Sequence, residues 1–149
     1  ASDHYPEFFE RYRGYAAALH AAGLAPDPAL QVDAITTEQS GHEAVRALLA
    51  SGAQFDALFA ASDLIALGAM NGLREHGLRV PQDVAVAGFD DIAMASFVQP
   101  GLSTVQQDTK QAGDVLVESL IRLIQGEAVK SRTLPVKLVL RGSSSTTAA

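Results

Sequence analysis

The stretch Ala85–Gln107 reads AVAGFDDIAMASFVQPGLSTVQQ and contains the features that decide the fold. A short apolar run ends in a Gly-Phe pair and is followed directly by two acids, Asp90 and Asp91. A Pro-Gly break then leads into a second run with strand character. Two carboxylates at the end of a buried strand can serve catalysis, metal binding, ligand binding or helix capping.

Helical and strand patterns alternate before this stretch. Apolar spacing predicts helices at Pro6–Leu24, Ser40–Gly52 and Ser62–Gly77, and strands at Ala29–Thr37, Phe55–Ala61 and Asp83–Phe89. Parallel strands need crossover helices, so this order predicts an α/β fold with a parallel sheet and helices on both faces. The strands lack polar alternation, as expected when both sheet faces are buried.

The predicted helix Ser62–Gly77 is apolar around most of its circumference. A surface helix needs only one apolar stripe, so we expect this helix to be covered on a second side, where another subunit could pack.

The pattern changes after the Pro-Gly break. The sequence predicts a strand-like linker at Leu102–Gln107, an amphipathic helix at Asp108–Glu127 and a last strand at Arg132–Ser143. The tail from Ser143 onward is too small and polar to be expected to pack.

Composition excludes several classes of function. The 149 residues form about one domain, and a hydrophobic fraction of 48% allows a sizeable core. The net charge of −6, with no Lys/Arg cluster, argues against nucleic-acid binding by this piece. No apolar run approaches the ~20 residues of a membrane helix, and no signal-peptide pattern opens the chain. The absence of cysteine excludes disulfides and thiolate zinc sites and is consistent with a cytoplasmic origin.

Motifs for metal binding and common catalytic chemistries are missing. The histidines His4, His20, His42 and His76 are scattered without ligand spacing. The sequence contains neither a G-x-S-x-G elbow nor a Gly-rich phosphate loop between a strand and a helix. A carboxylate dyad at Asp90 and Asp91 is disfavoured, since adjacent residues after a strand usually point to different sides. We therefore expect neither a metal nor another cofactor.

A ligand site is the stronger interpretation, because ligands of open α/β sheets bind outside the carboxyl ends of the strands. Three predicted strands end in polar pairs, which are Thr36–Thr37, Ser62–Asp63 and Asp90–Asp91. One member of a pair could face the ligand while the other caps the next helix. Alternatively, both members only cap, and the pattern leaves this open.

Several motifs together resemble the effector-binding region of the lactose-repressor/galactose-repressor (LacI/GalR) transcription regulators. They are ERYRGYAAAL, the stretch FDALFAASDLIALGAMNGLREHGLRVPQDVAVAGFDD, PGLSTVQQ and LPVKLVLRGS. The resemblance covers nearly the whole chain.

The resemblance implies a periplasmic-binding-protein-like (type I) core of two α/β lobes around a ligand cleft, preceded by a DNA-binding headpiece. Residues 1–102 would form most of the C-terminal lobe. Residues 103–133 would hold a crossover and a helix of the N-terminal lobe, and residues 134–149 the return strand and tail. The headpiece, most of the first lobe and an inner strand before Ser2 would lie outside this sequence. Loss of an inner strand would leave unpaired backbone groups, so we expect this piece to associate, to swap elements or to be a proteolytic remnant of a longer chain.

The resemblance also assigns residues. Asp91 would cap the following helix, while a small-molecule effector, a sugar or related polyol, would be contacted by Arg11, Thr36, Ser62, Asp90 and Gln107. Thr36 replaces an aromatic that stacks on the ligand in some members. A homodimer interface would include Leu64, Leu67, Ala69, Met70 and Val98. Such a regulator is cytoplasmic, reaches DNA only through its headpiece and has no membrane partner.

Two rival functions remain open. A periplasmic sugar-binding protein of a transport system shares the fold, but usually lacks the combination of VPQDVAVAGFDD with LSTV. An enzyme using Asp90 and Asp91 would need a raised carboxyl pKa and a second catalytic group, and the sequence offers no such constellation.

Overall fold

The computed structural model describes residues 6–145. The helices are α1 (Pro6–Ala21), α2 (Glu38–Ala50), α3 (Asp63–Glu75), α4 (Met94–Phe97) and α5 (Thr109–Ile124), and the strands are β1 (Ala57–Phe59), β2 (Ala85–Ala87), β3 (Thr104–Gln107) and β4 (Val136–Val139). Single 3-10 turns lie at Pro28–Leu30 and Gly142–Ser144. The predicted tail beyond Ser145 and the histidine at His4 lie outside the described residues.

The central strands run parallel, as the sequence predicts. β1 pairs with β2 in parallel, with Leu58 opposite Val86. Beyond β2 the chain continues parallel to β3 through bridges that join Ala87 to Ser103 and Asp90 to Gln106. β3 then pairs antiparallel with β4. This arrangement places the Asp90–Asp91 pair directly beside β3.

Side chains of β1 alternate between two helical layers. Leu58 packs against the main core, whereas the Phe59 ring stacks on Tyr15 of α1 with centroids 6.3 Å apart. Successive strand residues point to opposite faces, so helices cover both faces of the sheet. The main core is apolar and contains Val45, Ala60, Ile65, Ala66, Ala69, Met70, Leu73, Val84, Val86, Ala95 and Leu102.

The helices α2 and α3 approach each other closely through glycines. A Cβ atom on Gly41 would overlap the carbonyl oxygen of Ile65, and one on Gly68 would overlap that of Glu38. This contact explains the apolar circumference of α3, because α2 supplies the second cover. Ala69 and Met70 are only 1% and 9% exposed and belong to the core, so their assignment to a dimer interface is wrong.

The predicted strand Ala29–Thr37 is absent. The chain forms the turn Pro28–Leu30 and then continues to Thr37 without strand pairing. A strand exists only where a neighbour supplies hydrogen-bonding groups, and no described residue pairs with this segment as a strand. The local apolar pattern could not reveal the missing neighbour.

The helix α5 forms as predicted, but none of its residues is buried. Its apolar residues Leu116, Val117, Leu120, Ile121, Leu123 and Ile124 are between 50% and 77% exposed. The beginning of the tail differs from the prediction. Ser143 is fully buried, because its small hydroxyl donates to the carbonyl of Val86 and accepts from the N–H of Ser103.

Candidate functional site

Three of the five predicted ligand contacts meet at the carboxyl edge of the sheet. The Arg11 guanidinium lies 3.4 Å from Oδ1 of Asp90, and the Gln107 amide donates to the same oxygen at 2.7 Å. We call Arg11, Asp90 and Gln107 the edge site. They come from α1, the end of β2 and the end of β3, so the fold gathers residues that are far apart in sequence.

Arg11 is held by more than its acid partner. Its guanidinium donates to the carbonyl of Ala61 at 2.5 Å and lies 3.9 Å from the ring centroid of Phe89. The ring of Phe8 approaches the same cation at 5.3 Å. The Arg11 side chain is 13% exposed. Aromatic faces and a carbonyl thus orient a largely desolvated cation, whose planar fork suits hydrogen bonding to ligand oxygens.

Asp90 and Asp91 both adopt a left-handed backbone, with φ of 117° and 55°. Such conformations cost free energy for residues other than glycine, and they persist only where surrounding bonds enforce them. The N–H of Asp90 donates to the carbonyl of Val105, and that of Asp91 donates to Oγ1 of Thr104. The turn therefore has a defined shape, imposed by β3.

Asp91 joins β3 to the segment after β4 and does not cap a helix. Its carboxylate accepts from Arg141 at 2.7 Å and from the side chain of Gln106 at 2.7 Å, and it is only 9% exposed. The helix α4 has no side-chain cap. The predicted capping role is wrong, because the left-handed turn points this carboxylate toward β3 and the segment after β4.

Ser62 and Asp63 are buried at the start of α3 and make structural hydrogen bonds. Ser62 accepts from the N–H of Ile65 and so caps α3, as one alternative predicted, but at 1% exposure it leaves no surface for a ligand. Its assignment as a ligand contact is therefore wrong in this structure. Asp63 is fully buried and accepts from Thr104 Oγ1 at 2.5 Å and from the N–H of Ile92 at 2.9 Å. This carboxylate joins α3 to β3 and to the turn.

Thr36 does not join the edge site. It is exposed in the segment before α2, where the adjacent Thr37 caps the helix by accepting from the N–H of Ser40. Within residues 6–145, Thr36 makes no side-chain hydrogen bond to the other four predicted contacts.

Burial raises the pKa of Asp90 above its ordinary value. The positive charge of Arg11 and the hydrogen bond from Gln107 oppose this effect, and the charge of Asp63 adds to it. Burial thus outweighs the two interactions that favour the ionised carboxylate. Ligand hydroxyl groups could add charge-assisted hydrogen bonds to that form.

Sequence reasoning missed the residues that shape the edge site. Phe89 contacts Arg11, while Arg141 and Gln106 hold Asp91. The only available signals were the Gly-Phe pair before the acids and the terminal L-V-x-R-x-S pattern, which did not indicate these contacts.

The described part of the chain gives little support to a metal site, a catalytic carboxylate dyad or a membrane-spanning helix. Residues 6–145 contain no group of three or more His, Asp or Glu side chains that could hold a metal ion. The two adjacent acids do not converge, since Asp90 binds Arg11 and Asp91 binds Arg141. No described helix is both long enough and apolar enough to cross a membrane.

Comparison with known proteins identifies the family. The family model for the periplasmic binding protein-like domain matches residues 2–144. The HTH-type transcriptional regulator CelR of Thermobifida fusca is 44% identical over 131 residues, which are 88% of this chain and 37% of that protein.

Solved structures agree with this result. A sugar-binding LacI-family regulator of Escherichia coli, complexed with phosphate, matches with a TM-score of 0.87 at 38% identity, over 96% of this chain and 52% of that one. A complex of CelR with cellobiose matches with a TM-score of 0.87 at 40% identity, over 91% of this chain and 42% of that one. The chain thus spans about half or less of these relatives. It belongs to the periplasmic binding protein-like domain family, and within it to the LacI family.

Proposed function

We propose that this chain is the effector-sensing part of a LacI-type transcription regulator and that its edge site binds a sugar or a related polyol. The observation that carries the proposal is the partly desolvated carboxylate of Asp90 between Arg11 and Gln107. A carboxylate accepts two adjacent hydroxyl groups, and a guanidinium donates to ring or hydroxyl oxygens. This donor and acceptor pattern suits a polyhydroxy ligand.

The exposed apolar face of α5 supports the presence of a second lobe in the longer protein. Each of the six apolar residues of α5 named above is at least half exposed in this chain. A contiguous exposed apolar face is typical of a docking surface. In this proposal residues 1–102 belong to one lobe, residues 103–133 cross to the other, and residues 134–149 return. A ligand that binds one lobe closure better would shift the equilibrium toward it and change operator affinity.

The same proposal includes a homodimer, with Leu64, Leu67 and Val98 at its interface. All three are partly buried in the isolated chain. The short helix α4 adds Met94 and Phe97, whose side chains are 54% and 80% exposed, and neither was predicted from the sequence. Large apolar side chains at such exposure favour a protein contact.

The proposed regulator is cytoplasmic, has no enzymatic activity and reaches DNA through a headpiece outside these residues. A periplasmic transport receptor is less well supported, because the relatives named above are transcription regulators.

A chimera provides the experiment. The segment of Thermobifida fusca CelR that matches this chain is replaced by this chain, and operator binding is measured against a panel that includes cellobiose and ribose. We expect at least one sugar to change operator affinity, and Asp90→Ala to weaken that sugar's binding by about 2–5 kcal/mol. The matched control is Asp83→Ala, which removes a partly exposed acid that is paired with Arg79. An Asp90→Ala chimera with the same sugar affinity as the control would contradict the proposed site.

A further inference from the structure

Two arginine–aspartate pairs meet at the turn after β2, and their geometry differs. Arg141 donates to Asp91 at 2.7 Å, the length of a closed, charge-assisted hydrogen bond. Arg11 approaches Asp90 only to 3.4 Å, which is longer than such a bond normally is. Asp90 is the more exposed acid, with 30% of its side chain accessible against 9% for Asp91. The pair that remains open is therefore the pair of the edge site.

Other contacts of the Arg11 guanidinium account for this separation. One of its nitrogens donates to the carbonyl of Ala61 at 2.5 Å, while its central carbon lies 3.9 Å from the centroid of the Phe89 ring. A cation at this distance from an aromatic face is attracted to it, and more strongly where the cation is desolvated. The carbonyl and the ring thus compete with Asp90 for the same guanidinium.

Both competing groups are anchored in the fold. Ala61 lies two residues after β1, and Phe89 lies two residues after β2. The backbone carbonyl of Phe89 accepts from the N–H of Asp63 at 2.8 Å, and the N–H of the next residue, Asp90, donates to β3 at 2.9 Å. The backbone that carries the ring is held by α3 and by β3, so its position does not depend on Arg11.

We propose that Phe89 is a positioning residue, which holds the Arg11 guanidinium away from Asp90 and so leaves both groups available to a polyhydroxy ligand. The role in ligand binding rests on the proposed function, because the edge site is the same. An Arg–Asp pair that closed to a bidentate bond would satisfy its own donors and acceptors, and a neutral polyol would have to break that bond. A pair that is held open avoids this cost, as in other preorganised sites.

The ionisation of Asp90 reports on the separation without any ligand. Burial raises the pKa of Asp90, the charge of Arg11 and the hydrogen bond from Gln107 oppose this effect, and the charge of Asp63 adds to it. If Phe89→Leu lets Arg11 close on Asp90, the stronger attraction should lower the pKa of Asp90. Leucine is smaller than phenylalanine, so greater exposure of Asp90 would also lower its pKa, and the two causes have to be separated.

A double-mutant cycle with Arg11→Met separates them. The CelR chimera described above is prepared with isotope-labelled aspartate carboxyl groups, and Asp90, assigned by its absence in Asp90→Asn, is titrated by NMR without sugar. We expect Phe89→Leu to lower the pKa of Asp90 when Arg11 is present and to have little effect in Arg11→Met. Phe89→Tyr keeps an aromatic face and should titrate like the unsubstituted chimera. The control Phe59→Leu removes a ring that stacks on Tyr15 of α1 and should leave the titration unchanged.

Sugar affinity supplies the second readout. In the chimera, Phe89→Leu should weaken binding of the sugar that changes operator affinity by about tenfold, and Phe89→Tyr should bind it like the unsubstituted chimera. An unchanged pKa of Asp90 in Phe89→Leu would overturn the proposal. A fall of equal size with and without Arg11 would do the same, because lost burial would then explain it, and so would unchanged sugar affinity. Failure of every sugar to bind the unsubstituted chimera would refute the proposed function, and the titration would still decide whether Phe89 holds Arg11 away from Asp90.

Discussion

Replacement of Thr104 by valine tests how the Asp90–Asp91 turn is held. Thr104 is fully buried, and its hydroxyl donates to Asp63 at 2.5 Å and accepts from the N–H of Asp91 at 3.4 Å. Valine preserves the shape of the side chain and removes both bonds. A hydrogen bond to a charged group contributes about 1.5–3 kcal/mol, and the longer bond to Asp91 adds less. We expect the free energy of unfolding to fall by about 2–3 kcal/mol.

Urea unfolding measures this loss directly, and a thermal scan should show a Tm lower by about 4–12 °C for a chain of this size. The matched control is Thr133→Val, at an exposed position, which should change stability by less than about 0.5 kcal/mol. A double-mutant cycle with Asp63→Asn should show coupling between the two side chains, since they share one bond. If Thr104→Val cost no more than Thr133→Val, the turn would not depend on this network, and the reasoning would be refuted.

Two further predictions concern ionisation and assembly. Burial raises the pKa of Asp90, so the folded chain loses stability as the pH rises through that pKa, and Asp90→Asn should remove this loss. The stability gained by Asp90→Asn, measured in urea from pH 3 to pH 7, should therefore increase with pH, and a gain that is constant or falls with pH would contradict the shift. Replacement of Phe97, 80% exposed, by serine should raise the dissociation constant of the proposed homodimer about tenfold or more in sedimentation equilibrium, as for an interface anchor. The control Phe9→Ser, also at an exposed position, should leave it unchanged, and equal effects of both variants would remove α4 from the interface.

The fold could be predicted from sequence wherever local patterns decide it. The order of helices and strands around α2, β1, α3 and β2 follows from apolar spacing and from capping residues such as Ser62. The strand predicted at Ala29–Thr37 fails because strand formation needs a partner, and partners are not encoded locally. The apolar circumference of α3 was visible in the sequence, but its cause was not. The close packing of α2 through Gly41 and Gly68 depends on a pair of residues far apart in the chain.

The three residues of the edge site could be predicted from the sequence, but the residues that hold them in place could not. Asp90 was accessible through the position of a strand end, whereas Arg11 and Gln107 were accessible only through the family motifs. The bond between Asp91 and Arg141 joins residues that are 50 positions apart, with no periodic pattern to connect them. The stacking of Phe89 on Arg11 depends on the left-handed turn that follows, which two adjacent acids do not predict.

The two adjacent acids match two adjacent glutamines on β3. Gln106 donates to Asp91, and Gln107 donates to Asp90. Neighbouring residues of a strand point to opposite faces of the sheet. Gln106 and Gln107 can therefore each bind one acid only if the two carboxylates also point in different directions. The left-handed backbone of Asp90 and Asp91 gives the carboxylates these directions. Asp91 faces the interior and is neutralised by Arg141, whereas Asp90 keeps a partly exposed carboxylate beside Arg11. A shift of β3 by one residue would give one acid the other glutamine and would place Val105 or Asp108 beside the second acid, so the register of this strand determines how both acids are paired.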